Sequence, residues 1–175
     1  MILVTGGTGL IGGEILRRLS QAGKPVRALA RNMKKAQPMP GVTWVDGDLS
    51  KPETLPEAFE GARTVSLLTH YLEDMVELQL NAISAARAAG VSHVVKSSAF
   101  AASDHSKAPI GRWHYQVEKE LEASGMAWTH LRPTISCRTC SPRPNTSATR
   151  VPSIPRPETA RFPTSTATTW ARSPP

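Results

Sequence analysis

The stretch Thr5-Gly-Gly-Thr-Gly-Leu-Ile-Gly12, which follows the apolar run Met1-Ile-Leu-Val4, decides how the chain is read. From Gly7 it satisfies Gly-x-Gly-x-x-Gly, and from Gly6 it satisfies Gly-x-x-Gly-x-x-Gly. Glycines let the backbone approach a pyrophosphate, whose charge then rests on the N-terminus of the following helix. Gly12 is expected to let that helix pack closely on the strand. Gly-rich turns are common, so the context matters more than the pattern. Here a strand precedes the turn, a helix follows it, and it is the first βα turn of the chain. Gly6, Gly7, Thr8, Gly9, Leu10, Ile11 and Gly12 are therefore read as a dinucleotide cradle, with a structural turn as the alternative.

Working outward, Leu10–Gln21 has helical spacing of its apolar residues and Gly23 ends it. Val26–Ala30 and Val42–Val45 read as the second and third strands. Pro52 opens a short helical segment at a position where proline is tolerated. Thr64–Leu68 is a fourth strand, and Glu73–Ala89 a long helix buried through Met75, Leu78, Leu80, Ala82 and Ile83. Val91–Lys96 is a fifth strand, Trp113–Ser124 a helix closed by Gly125, and Ala127–Leu131 a sixth strand. Strands alternating with helices predict an α/β fold: a Rossmann-like, doubly wound parallel sheet of about six strands.

The residue after strand two bears on the cofactor. A carboxylate there would suit the ribose 2′-hydroxyl of NAD, but Ala28-Leu-Ala-Arg-Asn32 offers Arg31 instead, a fixed cationic fork suited to a 2′-phosphate. NADP(H) is thus preferred over NAD(H). A solvated arginine at a strand end is the other reading.

With these residues in place, the sequence resembles the NmrA-like family of atypical short-chain dehydrogenases/reductases. The resemblance is carried by VTGGTGLIG at 4–12, ALARN at 28–32, VDGDLSKPETL at 45–55, VVKSSA at 94–99 and HYQVEKELEASGMAWTHLRPT at 114–134. It implies NADPH binding by a Rossmann domain and a substrate region built mainly from the C-terminal third. It further implies Asp48 and Leu49 beside the adenine, Leu68, Thr69 and His70 by the inner ribose, and Ser97 and Ser98 near the nicotinamide.

Catalytic residues are less plainly marked. Tyr115-Gln-Val-Glu-Lys119 matches the Tyr-x-x-x-Lys string of conventional members, in which lysine lowers the tyrosine pKa for proton donation. Its register argues against the match, since Lys119 stands only five residues before Ser124, and Tyr115 with Lys119 is kept as the less favoured dyad. The NmrA-like pattern His-x-x-x-Glu-x-x-Leu-x-x-Ser-Gly fits His114, Glu118, Leu121, Ser124 and Gly125 instead. That register points His114 toward the cofactor, which makes His114 and Ser98 the catalytic candidates; a helix-surface histidine is the alternative. No metal site is expected. Absence of the conventional dyad fits two roles: hydride transfer from NADPH to quinone- or dye-like acceptors, or redox sensing by a regulator that binds the dinucleotide without turnover.

The chain carries 21 Lys/Arg against 14 Asp/Glu, a net charge of +7, but the excess is uneven. Up to residue 135 there are fifteen basic and thirteen acidic residues; beyond it there are six arginines and one acid, Glu158. A nucleic-acid partner is therefore not expected from the front part. No apolar run reaches the length of a membrane span, and the start MILVTGG lacks a basic leader region. The expected location is cytoplasmic.

Residues 1–134 are read as the NAD(P)-binding domain and residues 135–175 as a separate tail. From Ser136 onward there are eight prolines, fourteen Ser or Thr, and no Leu, Lys or Gly. Such a composition predicts disorder. In the family, LRPT is followed by a helix resembling FMQNLL. Codons can be chosen for Ile135 onward that, read one base out of register, give FMQNLLAAAEYISNEG. Residues 135–175 are accordingly expected to be a frameshifted translation that replaces the substrate region. The alternatives are a weak Cys137-x-x-Cys140 redox or metal pair and an arginine-rich arm attracted to nucleic-acid phosphates.

Overall fold

The computed structural model describes residues 1–133. Every expectation about the tail from Thr134 onward, including disorder, the frameshift and the cysteine pair, lies outside the described residues.

Six parallel strands form one sheet: β1 (Ile2–Val4), β2 (Val26–Ala30), β3 (Val42–Asp46), β4 (Thr64–Leu67), β5 (His93–Ser97) and β6 (Ala127–Leu131). Their order is β3-β2-β1-β4-β5-β6. The helices are α1 (Leu10–Gln21), α2 (Leu55–Phe59), α3 (Met75–Ala88) and α4 (Pro109–Ala123), with 3-10 turns at Met33–Lys35 and Pro52–Thr54. This is the doubly wound Rossmann-like arrangement read from the alternation of strands and helices. From β1 the chain steps outward to β2 and β3 and then returns to lay β4 on the other side of β1, so the strand order reverses at β1/β4. Ligands of such sheets bind at that reversal, beyond the carboxyl ends of the strands.

Thr5 joins the two strands at this point. Its buried hydroxyl donates to the Leu68 carbonyl at 2.7 Å and accepts from the Leu68 N–H at 2.8 Å. The larger core cluster includes Leu3, Leu55, Phe59, Val65, Leu67, Leu78, Ile83, Val94, Val117 and Leu121, between the sheet and helices α2, α3 and α4. Val4, Leu16, Val26 and Ala28 form a second cluster, with Ile15, Leu19 and Trp44 packed against it.

Several element ends differ from expectation. Helix α4 starts at Pro109, four residues before Trp113, because proline's fixed φ suits a first helical position. Strand β5 starts at His93 rather than Val91, and β4 ends at Leu67 rather than Leu68. Helix α3 starts at Met75 rather than Glu73. On α3, Leu80 is only half-buried, while the polar Gln79 is buried and donates to the Thr69 hydroxyl at 2.7 Å.

Candidate functional site

At the strand reversal lies a cleft of about 630 Å³, within the range of small-molecule and cofactor sites. Its floor is the glycine turn. Gly6 has φ +64, a left-handed conformation that favours glycine. A Cβ on Gly12 would stand 2.1 Å from the Gly6 carbonyl oxygen and 2.9 Å from Gly7 Cα. Gly12 thus packs against the backbone of the turn itself, rather than against the strand as expected. Helix α1 begins at Leu10 with Gly9 as its N-cap and no side chain capping it. Its first N–H groups are left for an external acceptor. Its first turn carries no acid, which leaves the positive end of its dipole unopposed.

Thr8, Gly9, Leu10, Ile11 and Gly12 line the cleft on this side, together with Gly6. Gly7 does not. It is buried behind the turn, where a Cβ would meet Leu16 Cδ1 at 2.9 Å and the Trp44 ring at 3.2 Å. Its role is packing. Arg31, one residue beyond β2, stands exposed at the next wall with Asp48 and Leu49. The Asp48 carboxylate accepts from the Ser50 N–H at 3.0 Å, and that bond is the main cause holding its pKa below the usual range. Asn81 on α3 donates to the Leu49 carbonyl at 2.8 Å and so fastens this loop. Leu68, Thr69 and His70 form the third wall, where His70 meets Asp74 at 2.7 Å. Ser97 and His114 close the far end.

The catalytic candidates separate. His114 lines the cleft although its ring is almost wholly buried. Tyr71 meets that ring edge-on, with centroids 6.1 Å apart. Ser98 is a correction: it does not line the cleft, and its buried hydroxyl donates to Glu118 Oε1 at 2.6 Å. Tyr115 and Lys119 do not line it either. The Lys119 ammonium is half-exposed, pairs with Glu122 at 2.7 Å and lies 5.5 Å from the Tyr115 ring centroid. That pairing raises the Lys119 pKa, whereas activation of a tyrosine needs a lysine close to its hydroxyl. No group of three or more potential metal ligands occurs among the described residues.

Sequence reasoning passed over a buried polar network behind His114. Lys96 on β5 is fully buried, with Nζ 2.9 Å from His114 Nδ1. Burial is the main cause that brings its pKa down to about 8. Burial, followed by the Lys96 charge, brings His114 down to about 4. Glu118, also buried, receives both donors of the Arg132 fork, one at 3.0 Å. Burial pushes the Glu118 pKa up, but Arg132 and Ser98 outweigh it and the carboxyl stays below its usual value. Lysine, glutamate and arginine are rarely buried unless paired, so a lysine near the end of the mixed strand His93-Val-Val-Lys-Ser97 gives no local sign of burial. The i, i+4 relation of His114 and Glu118 was the available signal that both face inward.

The residues present fit a dinucleotide. Helix α1 offers free N–H groups, Gly12 has its Cβ space filled by the turn, and Arg31 supplies a cation at the end of β2. Comparison with known proteins points the same way. The model of the NmrA-like family matches residues 1–160. An NAD(P)H azoreductase of Xenophilus azovorans is 42% identical over 135 residues, covering 76% of this chain and 47% of its own. The NADPH-dependent quinone oxidoreductase of Escherichia coli, solved with NADPH, superposes with a TM-score of 0.69 at 30% identity, over 75% of this chain and 48% of its own. The triphenylmethane reductase of a Citrobacter species, solved with NADP(H), gives 0.69 at 30% identity, over 79% and 50%. The chain spans about half the length of the curated relatives it matches.

Proposed function

This chain belongs to the NmrA-like family, and from that membership we propose that it is an NAD(P)H-dependent reductase that prefers NADPH and delivers hydride to a quinone- or dye-like acceptor. The observation that carries this reading is the convergence of the glycine turn, Arg31 and His114 on one cleft at the strand reversal. The N–H groups at the start of α1 would hold the pyrophosphate, as helix N-termini hold phosphate elsewhere. Arg31 would hold the 2′-phosphate, while Asp48 and Leu49 face the adenine and Leu68, Thr69 and His70 the inner ribose. A bound dihydronicotinamide would supply the hydride. Ser97 and His114 stand where the reacting end would lie, and His114 offers that end a ring nitrogen. Electron-poor acceptors ask little of the protein in proton donation, which accords with Tyr115 and Lys119 facing elsewhere.

NADPH oxidation followed with a panel of quinones and triphenylmethane and azo dyes tests this reading. Acceptor-dependent oxidation is expected, faster with NADPH than with NADH. NADPH binding without turnover on any acceptor would move the assignment to a redox-sensing regulator.

Residues 135–175 we assign to a shifted reading frame. DNA sequencing across codon 134 is expected to reveal one lost base. An unbroken gene in close relatives that encodes the same family-unlike tail would contradict it.

A further inference from the structure

Lys96, the residue before the last of β5, has no solvent exposure and is not part of the cleft lining. Its Nζ lies 2.9 Å from His114 Nδ1 and 3.3 Å from the Ser97 carbonyl oxygen. An ammonium has three donors and no acceptor. Nδ1 must then present its lone pair to Lys96, which leaves the ring proton on Nε2. His114 Nε2 is buried and has no hydrogen-bond partner among the described residues. Its ring lines the cleft between Ser97 and Tyr71. A buried donor without a partner carries an uncompensated desolvation cost, so an N–H kept in this position points to an acceptor atom that arrives with a ligand.

We propose that Lys96 is a positioning residue that fixes His114 as the neutral Nε2–H form, so that the cleft presents one fixed donor to a carbonyl-type oxygen of the acceptor. The proposal rests on the reductase reading of the cleft and adds to it the proton position and the residue that sets it.

The opposite arrangement would have Nδ1–H donating to a neutral amine and Nε2 bare. Four charged or titratable groups bear on that choice. Glu118 on α4 favours the ammonium, Arg132 after β6 disfavours it, and His114 and His130 are both held neutral mainly by burial. Burial and these charges together bring Lys96 to about 8, so the ammonium prevails at neutral pH. Above that pH the amine can accept, and the proton is free to move to Nδ1. The lock therefore holds at neutral pH and releases as pH rises through about 8. A donor at Nε2 welcomes quinone or ketone oxygens and rejects a ligand that presents its own N–H at that point.

The test is a nitrogen-resolved NMR titration of the full chain labelled at its five histidines, with the His114 signals assigned by their loss in His114→Gln. The expected result is the Nε2–H pattern at neutral pH, giving way near pH 8 in the wild type. In Lys96→Met the neutral-pH pattern becomes a tautomer mixture and the step near pH 8 disappears. An Nδ1–H pattern at neutral pH, or an Nε2–H pattern unmoved by both pH and Lys96→Met, overturns the proposal. If Lys96→Met does not fold, the wild-type titration decides by itself. Duroquinone added with NADP+, a pair that cannot react, should move the Nε2–H proton resonance. NADP+ binding without any such movement overturns the donor role. Failure to bind NADP+, with the pH-dependent tautomer intact, sinks the reductase reading and leaves the lock standing.

Discussion

Gly12 and Gly13 are neighbours on α1 with opposite tolerances. A Cβ on Gly12 would stand 2.1 Å from the Gly6 carbonyl oxygen, whereas on Gly13 the nearest atom is 3.6 Å away. Gly12→Ala should therefore displace the turn and weaken NADPH binding by more than about tenfold. Gly13→Ala should leave binding unchanged and raise stability by about 0.5–1 kcal/mol through helix propensity. Calorimetric titration and thermal melting of the two variants check the pair. Arg31→Ala should weaken NADPH about ten- to a hundredfold, the usual worth of a charge-assisted bond, without changing NADH. Equal losses for the two cofactors would remove Arg31 from 2′-phosphate recognition. His114 carries a pH consequence. Its folded pKa lies near 4, below the ordinary 6.5, so the unfolded chain binds more protons between those values. Stability from this group is full above about 6.5 and is lost as pH falls toward 4, on the order of 2 kcal/mol in urea titrations. Glu118, held below its usual value, acts in the same direction. The glycine turn, Arg31 and His114 were legible because each has a local pattern. Lys96 was not, since its burial depends on α4 packing over β5, and Ser98 was misplaced because sequence alone does not reveal that Glu118 captures its hydroxyl.

At the scale of elements, α4 and the end of β6 are tied by Glu118, Ser98 and Arg132. Arg132→Met would leave the Glu118 carboxylate buried with one neutral donor. The expected loss is about 2–3 kcal/mol, below that of a fully enclosed pair because the Arg132 side chain is 43% exposed. Ser98→Ala should cost about 1 kcal/mol. Urea unfolding measures both, and an unchanged midpoint in Arg132→Met would mean the pair contributes nothing. The presence and parallel type of all six strands followed from the alternation of β-branched runs with helical spacing, whereas their order in the sheet came from the structure. The start of α4 did not, because Pro109-Ile-Gly-Arg112 has weak apolar periodicity and its helix is set by proline at the first turn and by Gly111 against Ser106. The burial of Gln79 likewise escaped the apolar pattern, since its amide N–H donates to the hydroxyl of Thr69, a partner distant in the helical spacing.

At the scale of the whole molecule, the strand reversal at β1/β4 places every expected cofactor residue except Gly7 on one cleft, although they come from five separate loops or helix starts. The same edge of the sheet exposes Leu10, Ile11, Tyr71, Leu72, Phe100 and Leu131. Apolar surface gathered at one edge favours self-association, so light scattering should show a mass that rises with concentration, and NADPH should reduce that rise. A concentration-independent monomer would contradict this. The central claim is that the cleft holds a dinucleotide with NADPH preferred, and isothermal titration of the purified full chain with NADPH and NADH tests it most directly. The account predicts saturable one-site binding of both, at least about tenfold tighter for NADPH. No heat or saturation with either dinucleotide would contradict it.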